Sequence, residues 1–341
     1  MEFAAGGRLA VRITAADVGK RVSVRSLRTG GGAGETFTDT VGVLTSWTEG
    51  VMSITRRTGE PVRIAEGSVV AAKVVPDAPA RRRGPAADYP ELARVAARAW
   101  PPVEEEALSE WRLRAAGGFT RRANSVLPLG DPGLPLPEAL AAVRAWYARR
   151  GLPAYVQTAT GARGTQEELC ARLADLGWEL EVTAELRIGA LARLADTGDA
   201  GTTGDTGDTD RVRLARSVDE GWLRRYQRFT RPRPEVLEVL SGGPSVWFAT
   251  VPDPDGGPVP AAIGRCVVDG RWAGFMAVEV APEQRRRGLG TAVMAALARQ
   301  ALTEGAGAAW LQVERGNPAA DALYEGLGFR VHHTYHHHRE P

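Results

Sequence analysis

Hydrophobic and polar positions alternate with a period of two in several short stretches near the N-terminus. Alternation of this kind is typical of β-strands that bury one face. Gly-rich or charged turns separate the stretches, and these five lie within positions 20–75: KRVSVRSLR, TDTVGVLTSW, GVMSITRR, PVRIA and SVVAAKVV. Five strands in so short a segment predict a small all-β barrel over positions 8–76.

The spacing of these five strands is similar to that of Src-homology-3-like barrels. The pattern does not indicate what such a barrel binds, and a protein partner for it is one open interpretation. Positions 77–88 contain Pro, Ala and three consecutive Arg without periodicity, which indicates a linker.

Two later blocks alternate helical and strand periodicity, which predicts an α/β (α+β) fold with a mixed central sheet flanked by helices. The first block covers 89–190 and includes the predicted strand FTRRANSVLP; the second covers 212–341. Between them, residues 191–211 contain the tripeptide Thr-Gly-Asp three times and few apolar residues. Such a segment cannot bury a core, so we expect a flexible insert there.

The segment VEVAPEQRRRGLGTAVMAALARQA carries the clearest chemical signal. A hydrophobic strand ends near Pro282, three arginines and two glycines follow, and an Ala-rich amphipathic helix begins at once. The first N–H groups of a helix have no intrahelical partner and carry the positive end of its dipole. Because Gly288 and Gly290 lack a Cβ, a phosphate can approach this backbone closely. The spacing fits neither a dinucleotide fingerprint nor a P-loop.

Val278-x-Val280-x-Pro282-x-x-Arg285-x-x-Gly288-x-Gly290 resembles the acyl-CoA-binding motif of the GNAT superfamily of N-acyltransferases. About 30 residues later, Asn317-x-x-Ala320-x-x-Leu323-Tyr324-x-x-x-Gly328-Phe329 is similar to that family's second signature. The resemblance implies a GNAT domain over 212–341 that binds acetyl-CoA without a metal. The residues that it implies for cofactor binding are Val278, Val280, Arg285, Arg286, Arg287, Gly288, Leu289, Gly290, Thr291, Asn317 and Tyr324.

The same resemblance implies catalytic roles. Tyr324 would donate a proton to the departing CoA thiolate, and a backbone N–H near Val280 would stabilise the developing oxyanion. Glu279 is our first choice for the general base, Glu314 the second, and a chain of water molecules the third. Some family members have an acidic residue at the position of Gln312, and this chain does not.

The block 89–190 resembles the second block in two places and is interpreted as a degenerate GNAT-like half in a tandem arrangement. FTRRANSVLPL resembles FMAVEVAPE, and LADLGWELEVTAEL resembles YEGLGFRVHHTYHH. The first copy has residues 128–132, PLGDP, in place of the Arg-Gly loop, and Leu173 in place of Tyr324. Four polar residues of its FTRRANSV segment either line a substrate pocket or form an outward strand face: Arg121, Arg122, Asn124 and Ser125.

Charge and composition exclude several other classes. The 43 basic and 41 acidic residues leave a net charge of +2, so no overall field favours nucleic acid or an anionic membrane. Two distant cysteines exclude a disulfide framework, and no stretch approaches the roughly 20 apolar residues of a membrane span. We therefore expect a cytoplasmic protein. Five histidines near the C-terminus alternate between the faces of a predicted strand, which favours a structural role over a metal site.

The sequence therefore predicts an acetyl-CoA-dependent N-acetyltransferase that acts on a primary amine. The acceptor is either a small molecule or a protein amino group. The alternative is a non-catalytic acyl-CoA-binding sensor, and release of CoA in the presence of amines distinguishes the two.

Overall fold

The structure is a computed structural model. It describes residues 11–27, 37–75, 85–197, 212–226 and 232–341. Most of the predicted linker, most of the predicted Gly-rich insert and the segment 227–231 lie outside the described residues.

The N-terminal unit is a six-stranded sheet with the order β1-β6-β2-β3-β4-β5. Its strands are β1 (Val11–Arg12), β2 (Arg21–Leu27), β3 (Phe37–Thr48), β4 (Val51–Thr55), β5 (Pro61–Ala65) and β6 (Val69–Val74). Alternate side chains from these strands, including Val22, Val24 and Leu44, form a separate buried cluster. The predicted all-β unit is therefore present, with β1 and β5 at its two edges.

The rest of the chain builds a larger α/β body. Its strands are β7 (Glu104–Leu108), β8 (Trp111–Ala115), β9 (Leu127–Pro128), β10 (Tyr155–Thr160), β11 (Glu179–Ala190), β12 (Arg213–Ala215), β13 (Ser245–Val251), β14 (Ala262–Asp269), β15 (Trp272–Val280), β16 (Ala308–Glu314) and β17 (Arg330–Arg339). Its helices are α1 (Tyr89–Ala99), α2 (Leu136–Ala148), α3 (Glu167–Asp175), α4 (Leu191–Asp196), α5 (Glu220–Arg225), α6 (Pro234–Ser241), α7 (Leu289–Thr303) and α8 (Pro318–Gly326).

One eight-stranded mixed sheet runs through both predicted halves, in the order β10-β17-β11-β16-β15-β14-β13-β12. A further three-stranded sheet has the order β7-β8-β9. Strand β11 belongs to the first half, yet it lies between β16 and β17 and pairs antiparallel with both. Strand β17 in turn lies between β10 and β11. The two halves therefore exchange strands and share one sheet, and the predicted mixed α/β fold is confirmed.

A short repeated unit leads into each exchanged strand. Helix α3 is followed by Gly177 at φ 81°, buried Trp178 and β11. Helix α8 is followed by Gly328 at φ 87°, buried Phe329 and β17. A left-handed glycine ends each helix because positive φ costs glycine little. The resemblance between LADLGWELEVTAEL and YEGLGFRVHHTYHH thus corresponds to the same local structure.

Two predicted elements differ from the structure. The segment FTRRANSVLP is not one strand: it contains a 3-10 turn, Arg121–Ala123, and the short β9. The amide of Asn124 causes this, because it accepts from the N–H groups of Ala116 and Gly118 and donates to the carbonyl groups of Phe119 and Thr120.

The second difference is at 191–196, where the predicted flexible insert begins with helix α4. Leu191 and Leu194 of this helix are fully buried in the core cluster that also contains Val293 and Leu297 of α7. Leu191 and Leu194, three positions apart on the helix, therefore belong to the hydrophobic core and not to the predicted insert.

Candidate active site between two diverging strands

Strands β15 and β16 pair only at their beginnings and then separate. They run parallel with Trp272–Phe275 opposite Ala308–Leu311, and no later pair joins them within the described residues. A register shift between Ile263 and Arg265 of β14 and a left-handed Ala277 at φ 51° mark the departure of β15. Such bulges re-aim the strand and end its pairing. The gap between the strands opens into a cavity of about 800 Å³.

Both predicted halves contribute to this cavity. From the second half, the lining residues include Phe275–Glu279, Gln312–Asn317, Ala320, Tyr324, Tyr335 and His337. From the first half they include Gly118, Arg121, Arg122, Asn124, Leu152 and Tyr155. The structure thus brings together Tyr324, Glu279, Val278 and Asn317, which the sequence motifs single out. Val280, which the motif also singles out, does not line the cavity.

The predicted phosphate loop lies at the N-terminus of α7. Gly288 is the residue before the helix and has φ 78°, a conformation that favours glycine. A Cβ built at Gly288 meets nothing within 4 Å, so the loop faces open space there. The first N–H groups of the helix belong to Leu289, Gly290 and Thr291, and they have no intrahelical partner. This arrangement fits an anionic phosphate.

The loop carries positive charge and lies against β15 and α8, although none of Arg285, Arg286, Arg287, Gly288, Leu289, Gly290 and Thr291 lines the cavity. Arg285, Arg286 and Arg287 are exposed in front of the helix. A Cβ built at Gly290 would lie 3.7 Å from both Val280 and Leu323, which joins the loop to the ends of β15 and α8. Together these residues fit the pyrophosphate of an acyl-CoA.

Asn317 caps the N-terminus of α8. Its side-chain oxygen accepts a hydrogen bond from the Ala320 N–H, 3.1 Å away. The cap fixes the start of the helix that carries Tyr324. The amide thereby helps to position the tyrosine.

Tyr324 is half-buried against Phe329, with ring centroids 6.1 Å apart. Burial raises the pKa of its hydroxyl, and the positive charge of Arg187 opposes that rise. A raised pKa keeps the phenol protonated at neutral pH. The residue can therefore act as a proton donor in the cavity.

Two carboxylates and one amide line the same part of the cavity: Glu279 on β15, and Glu314 and Gln312 on β16. Gln312 accepts a hydrogen bond of 2.7 Å from Nη1 of Arg122. Gln312, at a position where some family members have an acidic side chain, thus holds an arginine of the first half at the cavity.

Of the four polar residues in FTRRANSV, Arg121, Arg122 and Asn124 line the cavity. Ser125 does not, since it is fully buried and accepts from Nη2 of Arg114 at 2.9 Å. Three of the four residues thus line a cavity, with Arg121 and Arg122 on a turn and not on a strand. Sequence reasoning missed Tyr155 and His337, whose position depends on the strand exchange.

The C-terminal histidines alternate between the faces of β17, as the strand period requires. His336 and His338 share one face and contact Thr160 at 2.8 Å and Thr158 at 3.0 Å. His337 faces the cavity on the other side. Among the described residues no group of three or more His, Cys, Asp or Glu side chains is placed to bind a metal ion. None of the described helices is both long and apolar enough to cross a membrane.

The fold, the diverging strands and the glycine loop before α7 define a GNAT-type N-acetyltransferase. Two solved structures share this fold. A GCN5-related N-acetyltransferase from Kribbella flavida superposes with a TM-score of 0.50 at 19% identity, over 75% of this chain and 97% of the other. A tandem GNAT protein from the clavulanic acid biosynthesis pathway gives 0.51 at 13% identity, over 75% and 90%.

Sequence comparison identifies the family. A family model described as "Probable histone acetyltransferase Rv0428c C-terminal" matches residues 86–338, and one described as "Rv0428c N-terminal Sm-like domain" matches 16–73. The probable histone acetyltransferase Rv0428c of Mycobacterium tuberculosis is 31% identical over 93% of both chains. The uncharacterized N-acetyltransferase YobR of Bacillus subtilis is 27% identical over 71% of this chain and 94% of its own. The chain belongs to the Rv0428c acetyltransferase family.

Proposed function

We propose that the protein transfers an acetyl group from acetyl-CoA to a primary amine. One observation carries this proposal: Tyr324 and Glu279 line a single cavity where β15 and β16 diverge. A candidate proton donor and a candidate base thus share one cavity, and Gly290 of the candidate phosphate loop lies near Val280 at the end of β15.

The binding of acetyl-CoA is assigned to the loop and helix start. Gly288, Leu289, Gly290 and Thr291 would offer backbone N–H groups to the pyrophosphate, and the three exposed arginines would supply countercharge. Val278 and Val280 belong to the strand that leaves its partner, so their backbone groups would bind the pantetheine arm.

In the proposed reaction the amine nitrogen forms a bond to the acetyl carbon and the bond from that carbon to sulfur breaks. The N–H of Val280 would stabilise the carbonyl oxygen as it gains charge. Glu279 would take a proton from the amine, with Glu314 as the second candidate. Tyr324 would donate a proton to the sulfur.

We further interpret residues 89–190 as a degenerate GNAT-like half that supplies one wall of the acceptor pocket. The N-terminal sheet is interpreted as a Src-homology-3-like unit that can serve a protein partner. The acceptor is either a small amine or a protein amino group; the name of the Mycobacterium tuberculosis relative supports the second. Both cysteines are free and buried, which supports a cytoplasmic location.

The test is release of free CoA from acetyl-CoA in the presence of a panel of amines, measured together with calorimetric binding of acetyl-CoA. Binding with amine-dependent CoA release supports the transferase. Binding without CoA release from any amine supports the acyl-CoA sensor instead. Absence of binding contradicts both.

A further inference from the structure

The end of the cavity farther along the sheet is built by the first half and by β17. Arg121 and Arg122 lie on the 3-10 turn, Tyr155 on β10 and His337 on β17, and all four line the cavity. The ring of His337 meets the ring of Tyr155 edge-on at 6.5 Å, and the guanidinium of Arg121 lies 5.7 Å from the centre of the Tyr155 ring. We call these four residues the distal wall.

Two polar groups of the distal wall are buried without a partner. His337 is 2% exposed, and neither of its ring nitrogens has a hydrogen-bond partner. Nε of Arg121 is also buried and unpartnered, although Nη2 of the same side chain contacts Glu181. Buried polar groups are nearly always hydrogen-bonded, because an unmade bond costs free energy. Both groups are therefore suited to a ligand in the cavity.

His337 is held neutral. Burial lowers its pKa well below the usual value, and the charges of Arg114, Arg122 and Arg121 lower it further. A neutral imidazole has one N–H donor and one acceptor nitrogen. At neutral pH this side chain can donate to an anion without adding a full positive charge to the pocket.

Side chains of both charge signs line the cavity. Arg122 is held by Gln312 and lies over the ring of Trp100, 4.8 Å from its centre. Arg121 lies against Tyr155 of β10, whereas Arg122 reaches Gln312 of β16, the strand that also carries Glu314. Guanidinium groups bind carboxylates through strong charge-assisted hydrogen bonds. An acceptor with an amine near Glu279 and a carboxylate near Arg121 and His337 would match this cavity.

We propose that the distal wall binds a carboxylate of the acceptor, so that the acceptor is a primary amine that also carries a carboxylate. This inference rests on the proposed acetyl transfer. Arg121 and His337 would donate hydrogen bonds to the carboxylate oxygens, and Arg122 would supply further positive charge. The carboxylate would orient the molecule with its amine toward Glu279.

The experiment compares matched acceptors: amino acids, the same amino acids as carboxamides, and a lysine-rich peptide. Transfer is followed by CoA release for the wild type and for Arg121→Gln and His337→Phe. His333→Phe is the matched control, because His333 is buried on the same strand but lies outside the cavity lining. We expect the wild type to favour the carboxylates in kcat/KM by at least about tenfold, as charge-assisted hydrogen bonds do.

In Arg121→Gln and His337→Phe this preference should fall to about a third of the wild-type ratio or less, with the KM for acetyl-CoA unchanged. His333→Phe should keep the wild-type ratio. A wild type that prefers the carboxamides or the basic peptide overturns the inference, as do variants that slow both acceptor types equally. Arg121→Gln, at a partly exposed turn, keeps the test valid if His337→Phe does not fold. Failure to bind acetyl-CoA would instead contradict the proposed function.

Discussion

The loop before α7 and the loop of the first half at residues 128–132 differ in their electrostatics. The second-half loop has an exposed left-handed Gly288, three arginines and free helix N–H groups. In the first-half loop, the Asp131 N–H donates to the carboxylate of Glu110 at 2.7 Å, and the Gly133 N–H donates to Asp131 at 2.7 Å. Two backbone N–H groups of the first-half loop are thus already bonded to carboxylates of the chain itself.

The two helices that precede the exchanged strands differ in the same way. Tyr324 of α8 faces the cavity, whereas Leu173 of α3 is fully buried in the core of the first half. The first half therefore has the same order of helix, left-handed glycine and strand, with a buried leucine where the second half has Tyr324. The same local structure therefore occurs both with and without the tyrosine that the proposed chemistry uses.

We expect the largest effect, a loss of acetyl-CoA affinity, when a carboxylate is introduced into the loop before α7. Gly288→Glu places a carboxylate at the phosphate site and a side chain on a backbone with positive φ. Because like charges repel at close range, we expect acetyl-CoA affinity to fall by about a hundredfold or more in calorimetry. Gly305→Glu is the control, since Gly305 follows the same helix with φ 88° and open space around it. Equal loss in both variants would remove the loop from its assigned role.

Tyr324→Phe removes the hydroxyl of α8, so that neither α8 nor α3 carries a proton donor at this position. General acid catalysis contributes typically about 10²–10⁴-fold, so turnover should fall at least tenfold and about a hundredfold if donation limits the rate. Acetyl-CoA affinity should stay within about a factor of three, because only one hydroxyl is removed. The measurement is steady-state CoA release with parallel calorimetry. Unchanged turnover would show that the proton comes from elsewhere.

We expect the protein to lose stability in acid because of the buried histidines of β17; its neighbour β11 contains no histidine. Burial lowers the pKa of His336 to about 3 and of His338 to about 4, below the unfolded value near 6.5. The unfolded chain then binds more protons, so stability is complete above pH 6.5 and is lost as pH falls below it. Each of these histidines should cost about 2 kcal/mol of unfolding free energy between pH 7 and pH 5.

Urea unfolding at the two pH values measures this loss. His338→Gln can keep a hydrogen bond to Thr158 and should lose about 2 kcal/mol less than the wild type on acidification. An identical pH dependence in the variant would show that other groups control acid stability.

Comparison of two carboxylates sharpens the assignment of the base. Glu279→Gln should lower turnover by about tenfold or more at neutral pH, while Glu314→Gln changes it less. The pH profile of kcat/KM should lose its acidic limb only in the variant that removes the base. The reverse order of effects would assign the base to Glu314, and two small effects would favour water.

The smallest effect is expected at the first-half loop. Glu110→Gln weakens an exposed hydrogen bond to the backbone, so the free energy of unfolding should fall by less than about 1 kcal/mol. Acetyl-CoA should bind with a stoichiometry of one per chain in the wild type and in this variant. Binding of a second acetyl-CoA molecule per chain, in the wild type or in Glu110→Gln, would show that the first-half loop also binds the cofactor.

Sequence patterns predict the elements around the motif well, because glycine, helix start and strand are local in the chain. The α/β alternation and the N-terminal strands are likewise periodic and local. The motif residues Tyr324, Glu279 and Asn317 do meet in one cavity. The strand exchange could not be predicted. The hydrophobic pattern of a strand does not indicate whether the strand that pairs with it lies in the same half of the chain.

The missed residues have the same cause. Tyr155 and His337 meet because β10 pairs with β17, with Gln157 opposite His337. Helix α4 was missed because its two leucines stand beside a polar repeat that dominates the composition of 191–211. The turn at Arg121 was missed because hydrogen bonds of Asn124 replace those of a strand.

The exchanged strands also set an order of events as the chain leaves the ribosome. Strand β11 is complete at Ala190, but its neighbours begin only at Ala308 and Arg330, more than a hundred residues later. Until then both of its edges lack the ladders seen in the native sheet, and open edges invite pairing with other chains. Pairing over so long a separation is also slow. Nascent chains stalled after residue 190 should therefore aggregate or recruit chaperones, whereas release of the full chain closes both edges at once.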